Sequence, residues 1–133
     1  MIIVGVSQWH NSSVCLLDNG KVVFHSENER HSRKKYDNNS FDIITKVPKH
    51  IDHLCIAGLT LQQNKNEDYE SFLIEHGVTI GETHKIWQTH HKWHATSAFY
   101  NSGFDKAICI VKDGMGSDYP LTDKRFQKGT YGR

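Results

Sequence analysis

The sequence predicts an α/β domain built on a mixed sheet, and three observations carry that expectation. The N-terminal quarter alternates short β-branched apolar runs with polar turns, and one of those turns is Asn19-Gly20, the dipeptide best suited to a two-residue hairpin. Further along, apolar runs are separated by segments of helical periodicity, the arrangement of a crossover between parallel strands. The chain has 133 residues, enough for one sizeable core and too few for two. Residues 1–133 are therefore expected to form a single domain.

Each element follows from local composition. Residues 1–7 (MIIVGVS), 13–18 (SVCLLD) and 21–27 (KVVFHSE) read as three consecutive strands, the last two joined through Asn19-Gly20. Residues 28–50 are polar and charged and close on Pro48, which predicts a loop with room for a short helix. HLCIAGL (53–59) is a fourth apolar run, long enough for a buried strand. Residues 66–76 put Tyr69, Phe72 and Leu73 at helical spacing, with Gly77 as the C-terminal stop. A short strand is expected at 78–80, a helix from about Thr89 to Tyr100 with Gly103 beyond its end, and a last strand at 107–113 opening into Gly114-Met115-Gly116. Three antiparallel strands followed by crossovers fit one half of a ribonuclease-H-like or actin-like nucleotide-binding fold.

Composition narrows the function classes. Sixteen Lys and Arg against fifteen Asp and Glu leave almost no net charge, which argues against a protein that coats nucleic acid. Cys15, Cys55 and Cys109 lie far apart inside apolar runs, as buried thiols of a reducing compartment would, and they form no Cys-x-x-Cys knuckle. The apolar N-terminus has no basic lead-in and is too short for a signal segment or a membrane span. The expectation is a cytoplasmic protein with neither nucleic-acid nor membrane partners.

The chemistry-bearing residues concentrate in HHKWHATSAFY, residues 90–100. On a helix, His90 and His94 share one face at i,i+4 spacing, and His91 and His94 do so at i,i+3; either pair can converge on a divalent ion. A zinc peptidase would need Glu directly after the first histidine, and His91 occupies that position. The competing reading is of helix histidines that are partly exposed or hydrogen-bonded in a core. Asp113 ends an otherwise apolar strand, where ligand and metal sites of α/β sheets open, although a turn-initiating Asp is the commoner role. His10 stands in a turn rich in small donors (Ser7, Asn11, Ser12, Ser13) that can cradle an oxyanion. Arg30, Arg33, Lys34 and Lys35 form either a solvated charged loop or an anion-holding segment.

Four blocks together resemble the nodulation-protein and antibiotic O-carbamoyltransferase family: MIIVGVSQWHNSSVCLLDNGKVV, ENERHSRKKYD, HHKWHATSAFYNSGFDKA and IVKDGMGSDY. They stand in the family's order and cover about half of the chain. The third block is the most specific. The resemblance implies the N-terminal half of an actin-like (ribonuclease-H-like) domain, related to that of threonylcarbamoyl transferases. It also implies an enzyme that makes carbamoyl-adenylate from carbamoyl phosphate and ATP and moves the carbamoyl group to a small-molecule hydroxyl acceptor. By the same resemblance His90, His94 and Asp113 hold a divalent metal, iron first and zinc as the alternative. Two imidazoles and a carboxylate with open positions suit either ion. His10 is then the candidate catalytic base toward the acceptor, and Lys35, Arg33, Arg30 and Ser12 are candidate substrate contacts.

The second block departs from the family pattern, with His31 in place of an aromatic residue and Asn28 interrupting the acidic run. The family's chain is several times longer, so residues 1–133 are expected to be a truncated N-terminal lobe, inactive alone. Its partner would be the missing C-terminal part of the same enzyme, and an uncovered apolar face could make it a homodimer. Two other readings are a non-catalytic metal- or nucleotide-binding remnant that assembles with a separately encoded second half, and a threonylcarbamoyl transferase acting in transfer-RNA modification.

Overall fold

The β-branched runs at the N-terminus form β1 (Ile2–Ser7), β2 (Ser13–Asp18) and β3 (Lys21–Glu27). Asn19 and Gly20 take φ of 49° and 80°, the paired positive values of a tight turn whose twist matches its flanking strands. The computed structural model describes residues 1–7, 11–37, 41–58, 68–87 and 90–112. Two short helices, α1 (Asn28–Ser32) and α2 (Phe41–Ile44), occupy the stretch expected to be mostly loop. Then follow β4 (His50–Gly58), α3 (Tyr69–Glu75), β5 (Thr79–Trp87) and α4 (His90–Ser102). The chain divides into two compact units, Met1–Trp87 and Gln88–Arg133.

The first unit is α/β, with a five-stranded mixed sheet in the order β3-β2-β1-β4-β5. β1 pairs antiparallel with β2, and β2 with β3, whereas β4 runs parallel to both β1 and β5. Period-two alternation sorts the central strands cleanly. Val4, Val6, Val14, Leu16, Leu54 and Ile56 are buried on one face, and they join Ile43 and Ile44 of α2 and Tyr69 and Leu73 of α3 in a single core. On the other face Ile3, Cys15, Leu17, His53 and Cys55 are half-buried.

α3 is held to the core face by its own chemistry. Tyr69 and Leu73, four apart, point inward, and Asp68 caps the helix by accepting from the Ser71 amide at 3.3 Å. At the other end Gly77 (φ 75°) lets the Val78 amide reach Leu73 O at 2.9 Å and its own amide reach Ile74 O at 2.9 Å, closing the last carbonyls. Glu70 accepts from Thr83 Oγ1 at 2.8 Å and pairs with Lys85 Nζ at 3.0 Å, tying α3 to β5. The Lys85 ammonium, then the Thr83 hydroxyl, hold the Glu70 carboxyl below the usual carboxylate range, and the Ser71 hydroxyl does the same for Asp68.

β4 and β5 approach each other closely at Gly81. A Cβ placed there would lie 2.6 Å from the backbone oxygen of Asp52, a group that has no side-chain freedom to give way. Asp52 is itself pinned, since its carboxylate accepts from the Ile2 amide. Gly81→Ala is therefore expected to cost about 1–3 kcal/mol by forcing the ladder apart. Urea unfolding followed by circular dichroism checks this, and an unchanged midpoint would mean that the two strands can part without penalty.

The second unit contains α4, which ends at Gly103 (φ 74°) as the sequence predicts. The strand expected at 107–113 is not formed over the described residues 107–112. A strand needs a neighbour to take its amides and carbonyls, and the described part of this unit holds only α4. Ile108 and Ile110 are accordingly 94% and 91% exposed. The cysteines are likewise more open than expected. Cys15 and Cys55 are half-buried, with thiols pushed up by desolvation, and Cys109 is exposed; all three are free.

Candidate functional site

α4 presents the histidine motif on one continuous helix, so His90, His91 and His94 keep the i,i+3 and i,i+4 relations that metal binding requires. His90 opens the helix, and its side chain lies outside what is described. His91 is half-buried and His94 exposed. Hydroxyl and amide side chains further along α4 bond back to the preceding turn, as in Thr96 Oγ1 to Lys92 O at 2.7 Å and Asn101 Nδ2 to Ser97 O at 2.7 Å. His94 also lines an open groove of about 490 Å³ with Ala98, Phe99, Phe104, Ile108 and Ile110. That groove joins an imidazole to an apolar wall. Asp113, the expected third ligand, lies outside the described residues, as does His10.

The basic segment converges on one place. Arg30, Arg33, Lys34 and Lys35, with Glu29, line a concavity of about 220 Å³ beside α1. Arg33 and Tyr36 both take positive φ (61°), a conformation that bends the chain sharply on either side of the two lysines. The Glu29 carboxylate accepts from the Tyr36 amide at 3.4 Å, and Arg30 Nε pairs with Glu27 at 3.2 Å. Lys35 lies 5.1 Å from the centre of the Tyr36 ring. Four cations against one lining carboxylate make this concavity suited to a phosphate-sized anion.

Ser12 plays a visible part in holding that segment. It is fully buried; its amide and its hydroxyl both donate to Asp37 O at 3.2 Å, and its carbonyl accepts from the Asn28 amide at 2.8 Å. Ser12, which leads into β2, is thereby fastened to both ends of the basic segment. Asn28 is buried beside it, and its Oδ1 has no hydrogen-bond partner among the described residues. An unmet buried acceptor costs about 1–3 kcal/mol, so a donor reaching it would be held firmly.

The sheet assembles a second histidine cluster that sequence reasoning missed. His53 of β4 is in register with Glu82 of β5, and His84 stands two residues further along the same face. His53 Nδ1 and His84 Nε2 are 3.1 Å apart, and Glu82 Oε2 lies 3.7 Å from each. Among the described residues these three form a group able to hold a metal ion. The signal was present in the alternation of Thr79-Ile80-Gly81-Glu82-Thr83-His84-Lys85-Ile86, which places Glu82 and His84 on one side of a strand.

No protein-family model matches the chain. Among the described residues no helix is long and apolar enough to cross a membrane.

Proposed function

We propose that the chain is the N-terminal, metal-bearing part of an ATP-dependent O-carbamoyltransferase, folded as one half of an actin-like domain. The observation that carries this reading is the sheet order β3-β2-β1-β4-β5, with three antiparallel strands followed by two parallel ones and then the histidine-bearing α4. Three antiparallel strands followed by parallel ones is the succession that the apolar runs and the crossover pattern predict. The concavity lined by Arg30, Arg33, Lys34 and Lys35 supports it independently, because carbamoyl phosphate and ATP are both phosphate anions.

His90, His94 and Asp113 would hold the divalent ion, iron or zinc, and this donor set suits either. When bound, the ion supplies positive charge to phosphate oxygens. The remaining work falls to the chain's own groups. Arg30, Arg33 and Lys35 hold the anion and orient it. His10 takes the proton of the acceptor hydroxyl as that oxygen bonds to the carbamoyl carbon and AMP leaves; in the earlier half-reaction water releases phosphate from carbamoyl phosphate, and the carbamate so formed displaces pyrophosphate from ATP to give the adenylate. Ser12 fastens the basic segment through its bonds to Asp37 and Asn28.

ATP/pyrophosphate exchange in the presence of carbamoyl phosphate tests the reading. Residues 1–133 alone are expected to give no exchange, because the family's second lobe carries much of the ATP site. Adding that lobe in trans should restore exchange, and Asp113→Asn should block the rescue. Full exchange by residues 1–133 alone would misplace the active site, and no rescue by a well-folded second lobe would leave a non-catalytic binding module.

A further inference from the structure

The cluster on β4 and β5 has the dimensions of a metal site that the proposed enzyme chemistry does not use. A triangle with sides of 3.1, 3.7 and 3.7 Å has a circumscribed radius of about 2.0 Å, so one point lies about 2.0 Å from His53 Nδ1, His84 Nε2 and Glu82 Oε2 together. That is the bond length of zinc to imidazole nitrogen and carboxylate oxygen. Three corners of a tetrahedron around such an ion stand roughly 3.3–3.4 Å apart, within a few tenths of an ångström of all three sides. Ordinary rotamer adjustment covers the difference.

We propose that His53, Glu82 and His84 bind a divalent first-row transition ion, zinc foremost, which clasps the edge strand β5 to β4. Imidazole donors favour such ions over calcium or magnesium, which take oxygen ligands. The donors are also reachable, since the side chains of His53, His84 and Glu82 are 34%, 36% and 64% exposed. Binding replaces the hydrogen bond between the two imidazoles. The imidazole that donates between His53 Nδ1 and His84 Nε2 shifts its proton, through solvent, to its other ring nitrogen, so that both rings stay neutral as each of these nitrogens gives a lone pair to the ion. The coordination positions left over face away from the core, on the side of the sheet where Cys55 stands in register with His84. β5 is the terminal strand of the sheet, paired on one side by β4, so a tie between the two acts where the ladder is weakest.

The test uses residues 1–133 carrying His90→Ala and His94→Ala, so that the α4 histidines contribute nothing. Titration with Co²⁺ is expected to produce the visible bands of a low-symmetry four-coordinate site at one equivalent per chain, displaced by Zn²⁺, and Zn²⁺ should raise the thermal midpoint. His84→Ala in that background should abolish both signals. Should His84→Ala fail to fold, Glu82→Gln carries the test, because Glu82 is well exposed and its replacement leaves the strand intact; it should weaken Co²⁺ binding and reduce the thermal shift. Bands absent before any sheet substitution, or bands and affinity unchanged by Glu82→Gln and His84→Ala, would overturn the proposal. Neither result would touch the reading of α4.

Discussion

Leu54→Ala is expected to lower the unfolding free energy of the first unit by about 2–5 kcal/mol. Leu54 is fully buried on β4, between β1 and β5, in register with Val4 on one side and Thr83 on the other. Its side chain lies on the face where Val4, Val6, Ile56, Tyr69 and Leu73 form the core, so truncation leaves a cavity that the strand ladders on either side cannot close. A domain's total stability is about 5–15 kcal/mol, so this one change removes a large share. Leu17→Ala is the matched control. Leu17 is a leucine of the same sheet but stands half-buried on the opposite face, and its loss should cost far less. Urea midpoints of the two variants settle the comparison. Equal losses would mean that the second face is as closely packed in solution as the first.

The contrast between those faces also explains what the sequence made legible. β1, β2 and β3 are legible to within a residue because short apolar runs rich in β-branched residues stand there between polar turns, and Asn19-Gly20 marks the hairpin. α3 was readable in its core and its stop, since Tyr69 and Leu73 carry the buried stripe and Gly77 supplies the positive φ; its first turn starts three residues later than the periodicity suggested. The apolar signal predicts a short strand at 78–80, whereas β5 runs from Thr79 to Trp87. As the terminal strand it can carry Glu82, His84 and Lys85 into solvent, so the apolar signal that reveals a central strand is weak along it. The His53, Glu82 and His84 group was hidden for the same reason: it exists only once β5 is laid beside β4. The opposite error fell at 107–112, where Ala107, Cys109 and Val111 alternate as a strand would but the described part of the second unit offers no ladder. Alternation reports a preference for a pleated surface, and pairing decides whether one forms. Of the expected site, the basic segment was legible as charge. That its four cations share one concavity depends on the positive φ of Arg33 and Tyr36, which the composition did not announce.

Metal bound through α4 is expected to disappear completely on His90→Ala, His94→Ala or Asp113→Ala and to survive His91→Ala. The helix is continuous from His90 to Ser102, so His90 and His94 are one turn apart, with Cβ atoms roughly 6 Å from each other, a separation that two imidazoles bridge onto one ion. His91 is offset from His90 by about 100° around the helix and is half-buried, which turns it away from a ligand shared by the other two. Three protein donors with open positions hold an ion less tightly than a closed four-ligand site, so purified protein should carry substoichiometric iron or zinc. The measurement belongs in a background of Glu82→Gln and His84→Ala, where the sheet cluster contributes nothing to elemental analysis. Loss of metal with His91→Ala and retention with His90→Ala would move the site to the i,i+3 pair, His91 and His94. Metal content unchanged in the His90→Ala, His94→Ala double variant would remove α4 from the site altogether, and with it the main chemical reason for reading this chain as part of a carbamoyltransferase.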